Sequence, residues 1–448
     1  MKYSIPGLLA NDGFLCACGK RHYSRLSDFM TGSGILAAAL PAMLSKYSVT
    51  HPFVFCDRDT YAAGGAAVIE ILRAHETPYT LHVIQRSHPS PDERIVGEAV
   101  MHCGKDCDGV IALGGGVIND TCKILASARH IPDIYVSTAP SMDGYASATS
   151  SMERDNLKIS LDSQCPNAVL CDADILATAP AHMVCSGIGD MAAKITSLAE
   201  WKMASYIVGD YYCATVADMV DDALHTCLRE GEAAVRGDHD ALCRLAEGLV
   251  LSGVAMNYAG ISRPASGMEH YISHILDMRA LAFGTPADLH GIQCGIGTLY
   301  TLRGYEILFD KLAGRAPDTE KALEAAKSLD RDAWNARLRE IVGPGAEAMI
   351  ANEDAYGFYK PENHRARLQN IVGHWDEIAA ALHAMPTSAE ITAFFQKIGH
   401  PTTAEIGVSA ADMENAFRMA KDIRPKYILG HLLWDLGMTD EVVSEIEF

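Results

Sequence analysis

The chain has 448 residues, with 37 lysines and arginines against 57 aspartates and glutamates, a net charge of −20. Apolar residues make up 49% and charged residues 21%, a balance that excludes global disorder. The acidity argues against nucleic acid or an anionic membrane surface as the main partner, and leaves open a small anionic ligand that needs only a local positive site.

At roughly 150 residues per domain the length suggests two or three domains. Thirteen cysteines, an odd number without framework spacing, point to free thiols in a reducing, cytoplasmic compartment. The opening MKYSIPGLLANDG has no basic stretch followed by a long apolar run, so no signal peptide is expected. No window approaches the length of apolar sequence that spans a bilayer.

In chain order, Pro52–Asp57 (PFVFCD), Tyr79–Ile84, Gly109–Leu113 and Ile134–Ser137 read as buried parallel strands. Ala63–Arg73 and Asp92–His102 have the spacing of crossover helices. Ser147–Leu161 turns to polar alternation and reads as a β-hairpin, followed beyond Pro166 by a last strand, Ala168–Cys171. From about Pro180 the strand signal gives way to helical spacing: Asp190–Ala204, Tyr211–Arg229, Asp240–Tyr258, Met268–Met278 and Gly291–Leu308. The tail from Thr319 to Phe448 is helical in pattern, broken by Pro344, Pro361, Pro386, Pro401 and Pro425. The expected organisation is α/β followed by all-α, with units at 1–178 and 179–448.

Four stretches carry chemistry. The strand GVIAL runs into Gly114, Gly115 and Gly116 and then VINDTCK, a turn that lets backbone approach a ligand and offers helix N–H groups to a phosphate. It is not the G-x-G-x-x-G fingerprint; the bland reading is a tight strand–helix turn, and phosphate binding is the favoured one. Asp57, closing an early strand, suits a ribose hydroxyl or a helix N-cap. The loop STAPSMDGYASATS lines a cleft with small polar groups, and its Asp143 is either a ligand contact or a turn residue. Finally, Asp190 in SGIGDMAAK at an expected helix start, His270 and His274 four apart, and His290 after a proline-containing loop form a carboxylate–imidazole set for a divalent metal. Each of these also has a bland reading as a cap or a core histidine. Near the N-terminus, CACGKRH carries Cys16, Cys18 and His22; C-x-C spacing without an evident fourth ligand reads as a small turn rather than a zinc knuckle.

Taken together, GGGVINDTCK, TAPSMDGYASATS, SGIGDMAAK, RPASGMEHYISH and LHGIQCGIGT resemble the sn-glycerol-1-phosphate dehydrogenases. These belong to the superfamily of iron-dependent alcohol dehydrogenases, glycerol dehydrogenase and dehydroquinate synthase. The motifs occur in the family's order between about Pro52 and Leu308; the tail IRPKYILGHLLWDLG resembles the family's last helices, while the region from about Asp310 to Glu405 is more divergent. The resemblance implies a Rossmann-like dinucleotide-binding domain (1–178) and a helical metal- and substrate-binding domain (179–448). It implies that Asp190, His270 and His290 bind one divalent metal, zinc before nickel or iron. Gly115, Gly116, Val117, Ile118, Asn119 and Asp120 would hold the cofactor's pyrophosphate and nicotinamide ribose, with Thr138, Ser141 and Ser147 lining the rest of its cleft. Asp143, Asp190 and His274 would face the substrate. The implied reaction is reversible reduction of dihydroxyacetone phosphate to sn-glycerol 1-phosphate by NADH or NADPH, in a homo-oligomer. Asp57 favours NAD(H), because its charge repels a 2′-phosphate. His274, Lys158, Lys194 and Arg263 are the candidate donors to the substrate phosphate. A polyol dehydrogenase and a dehydroquinate-synthase-like cyclase are the alternatives; the latter class prefers Glu where this chain has Asp190. A ligand sensor on a retired scaffold would have lost part of the metal set, and all three ligands are present.

Overall fold

The computed structural model describes residues 1–10, 13–154, 157–327 and 330–448. Its contacts divide the chain into two units, one of Met1–Met191 with Asp218–Ile261, the other of Ala192–Ala217 with Ser262–Phe448. The expected cut at 178/179 differs from this interleaved division. Helical periodicity identifies helices but not the layer that they join: His239–Ala259 packs on the strand side of the chain, although it reads as one more helix of the expected helical unit.

Among its described residues the first unit holds ten strands. Phe14–Leu15 (β1) and Arg21–His22 (β2) form a small antiparallel pair. Asp28–Gly32 (β3), Pro52–Asp57 (β4), Thr80–Ile84 (β5), Gly109–Gly114 (β6), Asp133–Ser137 (β7) and Ala168–Asp172 (β10) build a six-stranded sheet in the order β3-β10-β7-β6-β4-β5. Every pairing in it is parallel. Thr149–Arg154 (β8) and Leu157–Asp162 (β9) pair antiparallel as the expected hairpin; residues 155 and 156 lie outside the described residues.

The central strands are apolar on both faces because helices cover both. Val54, Cys56, Ile111, Leu113, Ile134, Val136 and Leu170 pack against Leu36–Lys46 and Ala66–Ala74 on one side. β4 continues into β5 on one side, whereas β6 continues into β7 on the other, so the direction of winding reverses between β4 and β6. In open α/β sheets a ligand crevice forms at the carboxyl ends of the strands at such a reversal. Asp57 ends β4 and Gly114 ends β6, which brings two of the motif regions to that one place.

The second unit is helical among its described residues. Its prolines sit where helices start or break: Pro361 opens Pro361–Gly373, and Pro344 lies in a single 3₁₀ turn between two helices. Met268–Phe283 and His290–Leu312 pack side by side. A Cβ at Gly297 would lie 2.8 Å from the Glu269 carbonyl oxygen, so this glycine is what lets the two histidine-bearing helices approach.

Candidate active site

In the first unit the glycine turn delivers a helix N-terminus. Gly115 is the N-cap of Gly116–Arg129 and contributes no side-chain cap, so the first N–H groups of the helix stay available to an anion. The glycines do different work. A Cβ at Gly114 would meet Ile118 at 2.5 Å, a packing constraint, while one at Gly115 would find only ordinary contact with Met183 at 3.7 Å. Ile118 lies in the core, so among these residues its side chain packs and its backbone alone can serve a ligand. Asn119 is buried and donates to the Tyr145 carbonyl at 3.3 Å, and its own Oδ1 has no hydrogen-bond partner among the described residues. Asp120 pairs with the buried Lys123 at 2.7 Å and accepts the Ser151 N–H, tying the helix to the β8–β9 hairpin.

The loop after β7 is held by its own hydroxyls. Thr138 N–H donates to the Gly114 carbonyl. Ser141 N–H donates to the Tyr145 hydroxyl at 2.9 Å, and that hydroxyl donates to the Ala139 carbonyl at 2.6 Å. Ser147 is bridged to the helix by Lys123 at 3.1 Å. Asp143 accepts from Ser252 Oγ at 2.8 Å and donates its backbone N–H to Asp190 Oδ2 at 2.9 Å. Thus the loop residue Asp143 and the carboxylate of Asp190 are built as one piece.

Asp190 does not open a helix as expected. It lies near the end of Ala181–Ala192, and the next helix starts at Lys194. Its carboxylate is therefore no N-cap; it is fully buried and anchored by the Asp143 N–H. Asp57, by contrast, is the cap that the bland reading foresaw. One of its oxygens accepts from Thr60 N–H at 2.8 Å in a capping box. That use occupies Oδ1 and leaves Oδ2 without a hydrogen bond among the described residues, so a cap and a ribose contact are compatible at this residue.

In the second unit His270 and His290 come together across the helix pair, their ring centroids 5.0 Å apart. Each imidazole has its Nδ1 engaged. His270 Nδ1 lies 2.9 Å from Glu269 Oε1, and His290 Nδ1 lies 3.1 Å from Ser273 Oγ, which itself accepts from Gln293. An Nδ1 held in this way is the arrangement in which a histidine with an outer-sphere partner presents Nε2 to a metal; His290 Nε2 lies 3.5 Å from Cys294 Sγ. Glu269 is held in turn by Thr196 Oγ1 and the Gly267 N–H, both at 2.6 Å. Burial pushes the Glu269 carboxyl up, but His270, Thr196 and Gly267 more than offset this and hold it below the usual range. Glu200, buried beside it, is pushed up to about 8 by burial and by the Glu269 charge.

Sequence reasoning missed three residues here. Cys294 lies one helical turn after His290, and the donor atoms of His270, His290 and Cys294 all lie within 4.8 Å of one another. Burial raises its thiol pKa, and the two imidazoles reverse that, leaving it below the ordinary value. The spacing His290-x-x-x-Cys294 is visible in the sequence and could have found it. Glu269, adjacent to His270, carries no signal of its role until the tertiary fold turns its carboxylate back. Lys426 is the third. Its Nζ donates to Ser266 O at 2.9 Å and to the hydroxyls of Ser262 and Ser266, and lies 5.5 Å from the centre of the Tyr271 ring. Burial, then the neighbouring Arg263 and Arg424 charges, hold its pKa well below that of an ordinary lysine.

His274 lies between these groups, 6.2 Å from the Tyr271 ring and 6.0 Å from that of His290. The other expected phosphate donors are placed differently. Arg263 is ion-paired with Asp210 and donates to the Tyr427 carbonyl. Lys194 is buried and donates to the Ala265 carbonyl at 2.9 Å. Lys158 sits opposite Glu153 in the β8–β9 hairpin.

A parallel sheet with a switch-point glycine turn, and a helical unit with a paired-imidazole centre, define a metal-dependent dehydrogenase of the iron-containing alcohol dehydrogenase type. The family model for iron-containing alcohol dehydrogenase matches residues 32–180. The fold is similar to that of the iron-containing alcohol dehydrogenase from Thermococcus thioreducens, with a TM-score of 0.60, 13% identity, and 95% of this chain and 100% of that chain covered. The more particular relationship comes from sequence. The chain is 33% identical over 307 residues to a glycerol-1-phosphate dehydrogenase [NAD(P)+] of Bacillus velezensis, covering 67% of this chain and 78% of the relative. It is 32% identical over 337 residues to that of Bacillus licheniformis, covering 73% and 83%. The chain belongs to the glycerol-1-phosphate dehydrogenase family.

Proposed function

We propose that this protein reduces dihydroxyacetone phosphate reversibly to sn-glycerol 1-phosphate, using NAD(H) in preference to NADP(H) and one divalent metal, zinc before nickel or iron. The observation that carries the reading is the pair of imidazoles whose Nδ1 atoms are taken by Glu269 and Ser273. Buried Asp190, held by the loop that carries Asp143, supplies the carboxylate of the ligand set. Carboxylate and imidazole together suit a first-row divalent ion. When bound, such a metal supplies a Lewis acid for the ketone oxygen as alkoxide charge develops.

The chain's own residues do the rest. The N–H groups that follow Gly115 bind the cofactor pyrophosphate, and Asp57 Oδ2 accepts from the adenosine ribose. Small residues of the Thr138–Ser147 loop leave room for the nicotinamide half. Lys426, with the hydroxyls of Ser262 and Ser266, takes the substrate phosphate, and the Tyr271 and His274 rings link that end to His290. Asp143 and His274 contact the substrate. A local cation of this kind is what an enzyme of net charge −20 requires to bind a dianion, because the long-range field opposes it. The reading extends to a cytoplasmic location, supported by the scattered odd set of cysteines, and to a homo-oligomer, as the family resemblance implies.

The test is metal content beside turnover. His270→Ala and His290→Ala should each lose the metal removed by chelation and lose turnover with dihydroxyacetone phosphate. Either variant retaining full metal and full rate would remove that residue from the ligand set.

A further inference from the structure

The cysteines and the histidine of CACGKRH, which the reaction does not use, come together in the first unit. β1 and β2 pair in the register Phe14↔His22 and Leu15↔Arg21. The five-residue connection Cys16–Lys20 is closed by Cys16 N–H to the Lys20 carbonyl at 2.9 Å and Gly19 N–H to the Cys16 carbonyl at 3.0 Å. Gly19 takes φ +84°, the left-handed conformation that this tight turn needs. The turn folds both thiols onto the same side as His22, and the donor atoms of Cys16, Cys18 and His22 lie within 4.8 Å of one another. Cys18 Sγ is 3.3 Å from His22 Nε2.

His22 is oriented as a ligand. It is fully buried, and its Nδ1 lies 2.7 Å from the Tyr258 carbonyl, an acceptor only, so Nδ1 carries the proton and Nε2 is the basic nitrogen facing the thiols. The Phe14 and Tyr258 rings lie 5.2 and 5.9 Å from the imidazole and 5.7 Å from each other, a three-ring cluster that fixes its orientation. A hairpin whose strands have two residues each cannot hold itself by pairing alone. A crosslink at its turn would supply what the strands lack.

We propose that Cys16, Cys18 and His22 bind a second divalent metal of the zinc class, structural in role and separate from the dehydrogenase centre. Two thiolates and a neutral imidazole are soft to borderline donors that select zinc over magnesium or calcium. Binding converts two thiols to thiolates and releases two protons, and these two negative charges offset the charge of the ion. The fourth position of the tetrahedron falls to a donor outside the hairpin. Holding the Cys16–His22 turn shut fixes the imidazole against Tyr258, at the end of the helix His239–Ala259.

The experiment is elemental analysis and cobalt spectroscopy on the full chain. Wild-type protein purified without chelator should carry zinc beyond the metal of the dehydrogenase centre, and that zinc should persist in His270→Ala. In a Cys294→Ser background, which removes the only thiol proposed near the other centre, the cobalt-substituted protein should show thiolate-to-metal absorption. Cys16→Ser combined with Cys18→Ser should abolish that absorption and cost one equivalent of metal. Should that variant not fold, the Cys294→Ser protein alone still decides the matter: tetrahedral cobalt with thiolate absorption supports the site. No thiolate absorption, or no metal beyond that lost in His270→Ala, would overturn it.

Discussion

At the scale of single residues the account rests on how donors are aimed. Glu269 matters because it holds the Nδ1 proton of His270, not because it touches a ligand. Glu269→Gln should weaken metal binding about 10–100-fold while leaving the fold intact, the size of effect seen when an outer-sphere partner is lost; equilibrium metal competition measures it. Lys426 makes a second prediction. Lys426→Met should raise KM for dihydroxyacetone phosphate far more than it changes metal content. Because its pKa is lowered, the wild-type enzyme should lose this charge, and with it substrate affinity, at a lower pH than an ordinary lysine would allow. A KM–pH profile should therefore rise on the alkaline side in wild type and be flat there in Lys426→Met. Asp57 bears on cofactor choice: Asp57→Ala should shift kcat/KM toward NADPH, and a variant with unchanged preference would show that the cap is its whole role. Among these residues, His270, His290 and Asp190 were legible from spacing and motif. Glu269 and Lys426 were not, since a carboxylate turned back on its neighbour and a lysine contributed from the far tail leave no local pattern.

Elements were legible in proportion to their burial. β4, β6, β7 and β10 are continuous apolar runs, and each was readable within a residue or two of its observed bounds. β3, with the sequence DFMTG, has no such run, because it stands at the edge of the sheet and pairs with β10 alone. The spacing gives a crossover helix from Ala63, and the chain enters it through a π turn over Tyr61–Gly65, where glycine sits against the Tyr61 ring. The start of β7 has a thermodynamic consequence. Asp133 is fully buried with neither carboxylate oxygen hydrogen-bonded, and burial pushes its pKa up to about 7 even against the pull of Lys123. Its folded-state pKa thus lies above the unfolded value of about 4. The folded state holds the extra proton between these values, so this residue's contribution to stability falls as pH rises from about 4 to about 7. Asp133→Asn should remove that slope from the pH dependence of Tm; an unchanged slope would mean that the carboxyl titrates normally.

For the whole molecule, the sequence supplied the order of classes, α/β then helical, but not the interleaving, in which Asp218–Ile261 returns to the first unit. Periodicity is a local property, and which layer a helix joins is decided by contacts far along the chain. The net charge works at the same scale. It sets a repulsive background against a phosphorylated substrate, one that salt screens within about 8 Å at physiological ionic strength. Raising ionic strength moderately should therefore lower KM for dihydroxyacetone phosphate until direct screening of the Lys426 contact takes over. The reaction itself is the most direct test. Metal-loaded protein is incubated with NADH and dihydroxyacetone phosphate, nicotinamide absorbance is followed, and the product enantiomer is identified. The account predicts NADH oxidation matched by sn-glycerol 1-phosphate, abolished by chelation and far slower with unphosphorylated dihydroxyacetone. Absence of NADH oxidation, or equal turnover of dihydroxyacetone and its phosphate, would contradict it.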